Sequence, residues 1–215
     1  MVSKKKLLIL GTRTFAVEVA DLAGDTEYLQ IAGFVENINP DRCKENLDGK
    51  PVVWVDDLDG MAKSHVAVCG LATTTRKVFT DQVAGFGIPF TRLIHPTARI
   101  SNTSSIGAGS ILSVGVVVAS HTQIGEHVCI NRGALIGHHN QIGNYVTIQP
   151  GVNMAGLCKI EDQVFIGIGA VVMDRIHIGR QSVVGAGALV TKDVPKNVQV
   201  MGIPARIVKE NVVGR

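Results

Sequence analysis

The sequence predicts a parallel β-helix of hexapeptide repeats preceded by a small parallel α/β sheet, and three observations carry that prediction. From Ile100 to Pro195 the chain repeats every six residues without a break, in sixteen units that all open with Ile, Leu, Val or Met. The second place is Gly in seven units (Gly107, Gly125, Gly137, Gly143, Gly167, Gly179, Gly185), and the fifth is Ser, Thr, Ala, Cys or Val in all but two, which hold Asn140 and the larger Ile176. Before residue 90 the grammar changes, and short apolar runs alternate with helical spacing.

A period of six fits neither a helix at 3.6 nor a plain strand at 2. It is the period of a hexapeptide β-helix. Three units make one triangular coil, so residues eighteen apart stack in register at about 4.8 Å. The opening aliphatics point inward as ladders, and the compact fifth residue faces in where a larger one would not fit. Gly in the second place is expected to supply the unusual backbone of the corners. Sixteen units give a little over five coils, enough for neighbours to bury one another's faces.

In the first part, LLIL (7–10) reads as an apolar strand, Gly11 to Thr14 as a turn, and Phe15 to Ala23 as a helix with Phe15, Val19 and Leu22 at i, i+4 and i+7. LQIAGFV (29–35), VVWV (52–55) and HVAVC (65–69) read as strands, Arg76 to Gly85 as a helix, and TRLI (91–94) as a strand leading into His95–Pro96. Alternating strands and helices imply a parallel sheet, whose ligands bind at the carboxyl ends of the strands. Those ends are GTRTFA (11–16), Glu36–Asn37 and GLATTTR (70–76). Of the three glycines of a dinucleotide fingerprint only Gly11 is present, with Arg13 and Ala16 in the other places, so a tightly held dinucleotide is not expected. The turn still enters a helix N-terminus, which favours an anion, and Arg13 is placed to pair with a phosphate. The plainer reading is that Thr12, Thr14 and Thr73–Thr75 cap helices. After the repeats, VMGIPARIVK (200–209) ends the pattern at Pro204, and ARIVKE is expected to close the solenoid as a short helix. The divisions are 1–94, 95–199 and a cap at 200–215.

Composition narrows the function. The chain has 215 residues, a net charge of +3 and 4% aromatics, which speaks against a nucleic-acid protein. MVSKKKLLIL is too short in apolar residues for a signal peptide or spanning helix, so the chain reads as cytosolic, without membrane insertion. Cys43, Cys69, Cys129 and Cys158 show no metal-ligand spacing, and Cys129 and Cys158, in the sixth and fifth places of their units, read as ordinary reduced residues.

Chemistry concentrates in IGHHNQ (136–141). Asn140 breaks the inward rule and requires a hydrogen-bond network, and His138 and His139 stand beside it. His121 lies eighteen residues before His139 and should stack on it; with His127 and His177 it reads as a solvated corner residue. His121 and His139 make two metal ligands without a third, so no metal is expected. His138 is the candidate general base, since imidazole titrates near neutral pH.

The α/β part, the hexapeptide run, IGHHNQIGN and the closing VMGIPAR together resemble the PglD/NeuD-like sugar acyltransferases. The resemblance spans nearly the whole chain and implies a left-handed parallel β-helix, a Rossmann-like N-terminal domain and a homotrimer with sites between subunits. It implies acetyl-CoA as donor and a nucleotide-linked sugar as acceptor, in surface glycan synthesis. His138 matches the family's base, and the N–H of Gly156, in the turn Ala155–Gly156, would hold the thioester oxygen. Acetyl-CoA would lie near Thr147, Gly156, Ile168, Ala186 and Gly187, and the nucleotide sugar near Gly11, Thr12, Arg13, Thr14, Glu36, Asn37 and Gly70. Three departures stand out. His139 replaces the acidic neighbour of the base, Thr147 replaces a second family His, and GTRTFA replaces the Gly-x-Gly-His turn. In place of the carboxylate, Asn140 or a backbone carbonyl is expected to orient His138. Two other readings remain: a non-catalytic solenoid that binds sugar nucleotides, and a γ-carbonic-anhydrase-like metalloenzyme on the same fold.

Overall fold

A computed structural model describes residues 4–215, so the first three residues of the basic start lie outside the described residues. The chain forms two compact units. One runs through Ala72 and resumes at Arg76–Pro96; the other comprises Thr73–Thr75 and Thr97–Arg215.

The first unit is a four-stranded parallel sheet with two α-helices. In chain order it contains β1 (Lys5–Leu10), α1 (Thr14–Gly24), β2 (Leu29–Glu36), β3 (Val52–Trp54), β4 (His65–Cys69) and α2 (Lys77–Ala84). The strand order is β3-β2-β1-β4. Leu7, Leu8, Ile9 and Leu10 of central β1 are all buried, as a parallel strand covered on both faces requires. Leu8 and Leu10 pack with Val35, Ala67, Phe79 and Val83 in one core. The chain passes from β3 to β4 on the far side of β1, so the winding reverses between β1 and β4. Gly11 and Gly70 sit at that reversal, where a sheet of this kind opens a crevice. VVWV stops as a strand at Trp54, because Val55–Leu58 turns into a 3₁₀ segment that buries Val55 and Leu58. Of TRLI only Leu93–Ile94 is strand.

The second unit is the parallel β-helix. Two-residue strands pair in parallel at an interval of eighteen on all three faces: Arg99, Val117, Leu135, Asn153, Val171 and Leu189 on one, and Ser105, Gln123, Gln141, Lys159 and His177 on the next. Ile111, Cys129, Thr147, Phe165 and Val183 form the third. From Leu112 to Val190 the first-place aliphatics are at most 4% exposed and fill the core with the fifth-place residues.

The corners correct one expectation. The left-handed backbone lies in the fourth place of the units, not the second. It is adopted there by His121, His127, His139, Tyr145, Leu157, Gln163, Arg175 and Gln181 at φ between 54 and 63°. In this conformation the fourth-place N–H points at the preceding coil, as His139 N donates to Ser120 O (2.9 Å) and Leu157 N to His138 O (2.9 Å). Gly in the second place serves a different need. A Cβ on Gly137 would lie 2.5 Å from the carbonyl carbon of Ala155, and one on Gly167 would lie 2.6 Å from Ala186 N. Those glycines let successive coils approach.

The closing segment also differs. Arg206–Glu210 is a strand, antiparallel to Val198–Met201, rather than a helix. The last parallel strand offers an open row of backbone groups, and a returning strand satisfies them where a helix could not.

Candidate active site

At the carboxyl ends of the sheet, Gly11 has φ 108° and its N–H donates to Val35 O (2.8 Å). Gly70 N donates to Leu10 O (2.8 Å), and a Cβ there would meet Ala16 Cα of α1 at 2.8 Å, so glycine permits close strand–helix packing. Glu36 is buried. Its Oε1 accepts from the backbone N–H groups of Asn37 (2.9 Å), Ile38 (2.8 Å) and Asn39 (3.3 Å), and its Oε2 accepts from the Thr12 hydroxyl. Burial raises the Glu36 pKa, but the Thr12 hydroxyl and the three N–H groups outweigh it and hold the carboxyl below its ordinary value. Thr12 therefore binds Glu36 and caps nothing; α1 begins after Arg13 with no side-chain cap. Arg13 and Thr14 are exposed beside it, and the half-buried Asn37 donates from Nδ2 to Gln82 Oε1 (3.1 Å).

Sequence reasoning missed Arg42. Its Nη1 donates to both the carbonyl and the hydroxyl of Thr12, each at 2.9 Å, and its Nε lies 4.0 Å from Glu36 Oε2. Arg42, Thr12, Asn39, Glu45 and Asn46 line a cleft of about 340 Å³. The signal was present: an acid at a strand end, buried by its apolar neighbours, calls for a cation within reach, and PDRCK supplies one six residues later.

On the solenoid, His138 and His139 occupy the third and fourth places of one unit and both are exposed. Their Nδ1 atoms lie 3.0 Å apart, with the rings edge-on at 5.2 Å and 86°. His139 in turn lies against His121 of the preceding coil, as the interval of eighteen predicts, with ring centroids 4.8 Å apart and planes tilted by 44°. The His138 ring lies against Gly156, eighteen residues on, where a Cβ would come within 2.7 Å of its Cε1 and Nε2. Glycine is thus required there by the imidazole. Among the described residues nothing accepts from the Gly156 N–H.

Asn140 forms the expected network, but it does not orient His138. Its side chain is fully buried, with Nδ2 donating to Gly137 O and Ala155 O (3.0 Å each) and Oδ1 accepting from Cys158 N (2.7 Å). Every polar atom faces inward.

The positions expected to meet acetyl-CoA are separated within the chain. Thr147 is fully buried on a strand of the third face, so its side chain lines no open surface. Ile168, Ala186 and Gly187 are exposed on a corner different from that of His138 and Gly156. Between those two corners runs the first face, with Leu135 and Val171 exposed.

Two of the histidines read as solvated are otherwise engaged. His127 is buried and stacks flat on Tyr145 at 4.9 Å, and His177 Nε2 lies 2.9 Å from Glu161 Oε1. All four cysteines are free; burial pushes the Cys69 thiol up to about 11. Among the described residues there is no group of three His, Cys, Asp or Glu able to hold a metal, and no helix long and apolar enough to cross a membrane.

Residues 157–192 match the family model of the bacterial transferase hexapeptide (six repeats). A search of curated protein sequences finds no match. Among solved structures, the acetyltransferase domain of PglB from Neisseria gonorrhoeae FA1090 is similar at 25% identity and a TM-score of 0.88, covering 95% of this chain and 100% of that one. WeeI from Acinetobacter baumannii AYE is 28% identical, with a TM-score of 0.87 and coverage of 95% and 100%. PerB from Caulobacter crescentus, solved in complex with CoA and GDP-perosamine, is 25% identical, with a TM-score of 0.83 and coverage of 96% and 99%. In its hexapeptide repeats and over nearly its whole length the chain is thus similar to solved hexapeptide acetyltransferases, PglB among them.

Proposed function

We propose that this chain transfers an acetyl group from acetyl-CoA to the amino or hydroxyl group of a nucleotide-linked sugar, with His138 as general base, in cytoplasmic synthesis of surface glycans. The observation that carries the reading is the His138 imidazole lying against Gly156, beside a backbone N–H that donates to nothing among the described residues. The likeness to PerB, whose structure holds CoA and GDP-perosamine, supports the two substrate classes.

In this reading the acceptor nitrogen, or oxygen, attacks the thioester carbonyl carbon while its proton passes to His138 Nε2. The Gly156 N–H donates to the oxygen as it gains negative charge. The carbon–sulfur bond then breaks and His138 returns the proton to the thiolate, leaving CoA and the acetylated sugar. Residues 1–94 act as a Rossmann-like domain that binds the nucleotide sugar, 95–199 as a left-handed β-helix that carries the chemistry, and 200–215 as its cap. Acetyl-CoA contacts Ile168, Ala186 and Gly187 in a homotrimer whose sites lie between subunits. An exposed catalytic edge and a bare apolar face in the single chain both support that assembly.

The test is thiol release from acetyl-CoA with a panel of UDP-, dTDP- and GDP-linked 4-amino sugars. Wild type should turn over one acceptor, and His138→Ala should lower kcat by about 10²–10⁴-fold. Full activity in the variant would remove His138 from the mechanism. Binding of a sugar nucleotide without turnover on any acyl-CoA would make the chain a binding solenoid.

A further inference from the structure

We infer that His139 is the positioning residue for His138, standing in for an acidic partner as a neutral hydrogen-bond acceptor. The inference rests on the reading of His138 as the base.

Two ring nitrogens 3.0 Å apart must share a proton, and a neutral imidazole carries one donor and one acceptor. The base needs a bare Nε2, so the proton of neutral His138 lies on Nδ1. That N–H then donates to His139 Nδ1, which must itself be bare, and the His139 proton lies on Nε2. The role of His138 therefore sets the tautomers of both rings. His139 is well held for this purpose. Its backbone is fixed by the bond from its N–H to Ser120 O (2.9 Å), and its ring rests on His121. Asn140, one of the two orienters expected from the sequence, has all its side-chain polar atoms committed to the interior.

The exchange of a carboxylate for an imidazole has a chemical consequence. A carboxylate favours the imidazolium electrostatically, whereas a neutral imidazole only accepts its hydrogen bond. The groups facing the pair are His121 on the preceding coil and Gly156 on the following one. Beyond Gly156 lie Asp174 and Arg175, paired with each other at 3.2 Å. In the reaction the acceptor proton moves to His138 Nε2 and on to the departing sulfur, while His139 exchanges no net proton. A proton on His139 Nδ1 would end that acceptance and set a like charge beside His138.

The experiment compares pH profiles of kcat/KM for wild type, His139→Asp and His139→Leu, with ring ¹⁵N spectra of each. Leucine suits the backbone, since Leu157 holds the same kind of corner at φ 63°. His139→Asp should keep turnover and move the acid limb up by about one pH unit or more. His139→Leu should lower kcat about 10-fold or more with KM for acetyl-CoA little changed. Substitutions that leave kcat and the acid limb at wild-type values would overturn the inference. If wild type turns over no acceptor, the acyltransferase reading fails. The ring spectra then decide the pairing alone: coupled titration supports it, and independent single-step curves for the two rings overturn it.

Discussion

Each oxygen of the Glu36 carboxylate is occupied, one by three consecutive backbone N–H groups and the other by the Thr12 hydroxyl with Arg42 nearby. One side chain thereby fixes the turn after β2 and the turn before α1. Because its folded-state pKa is depressed below the ordinary value of 4.5, its contribution to stability is present above that value and is lost as pH falls through the folded one. Glu36→Gln should destabilise the protein by about 1–3 kcal/mol at neutral pH. The deficit should shrink below about pH 4. Urea unfolding followed by the fluorescence of Trp54, paired with Glu36 across β2 and β3, would measure both. The sequence placed Glu36 at a strand end and His138 beside His139, because those positions follow from local pattern. Arg42, only six residues after Glu36, was in reach of the same reasoning, but its bonds to Thr12, thirty residues back, were not, nor was the turn of Asn140 away from His138 toward Ala155 and Cys158 of the next coil.

At the scale of the coil, the six-residue period was legible throughout, while the reason for its glycines was not. Glycine satisfies both a left-handed φ and a close approach, and composition alone does not separate the two. The structure assigns close approach to the second place and the left-handed turn to the fourth. Gly137→Ala should therefore cost about 1–3 kcal/mol through collision with Ala155. Gly151→Asn, at a fourth place with open space around it and φ 67°, should cost less than about 1 kcal/mol. Thermal unfolding of the two variants beside wild type tests the distinction, and equal losses would undo it. The closing segment shows the converse limit. ARIVKE has fair helical propensity, but the unpaired edge of the preceding strand recruits it as a strand, and tertiary context overrides local preference.

For the molecule as a whole, Leu135 and Val171 are exposed on a face whose inner side is densely packed. Light scattering should give the mass of three chains, and Leu135→Asp should shift it toward one chain, with acetyl transfer falling in parallel. A wild-type mass of a single chain would place the whole site within one subunit. The acceptor of the proposed reaction was illegible in the sequence for a physical reason: recognition of a small molecule depends on the shape of a crevice rather than on any short motif.

The pairing interval of eighteen holds without a slip from Arg99 to Leu189. Length in this solenoid is consequently quantised. Insertion of one hexapeptide between His138 and Gly156 would rotate every later residue by a third of a turn, carrying Gly156 away from beneath His138. Insertion of eighteen residues beyond Gly156 would only displace the later coils by one step, about 4.8 Å along the axis. Evolution can thus lengthen the solenoid on either side of the histidine edge in whole coils, and in no smaller step.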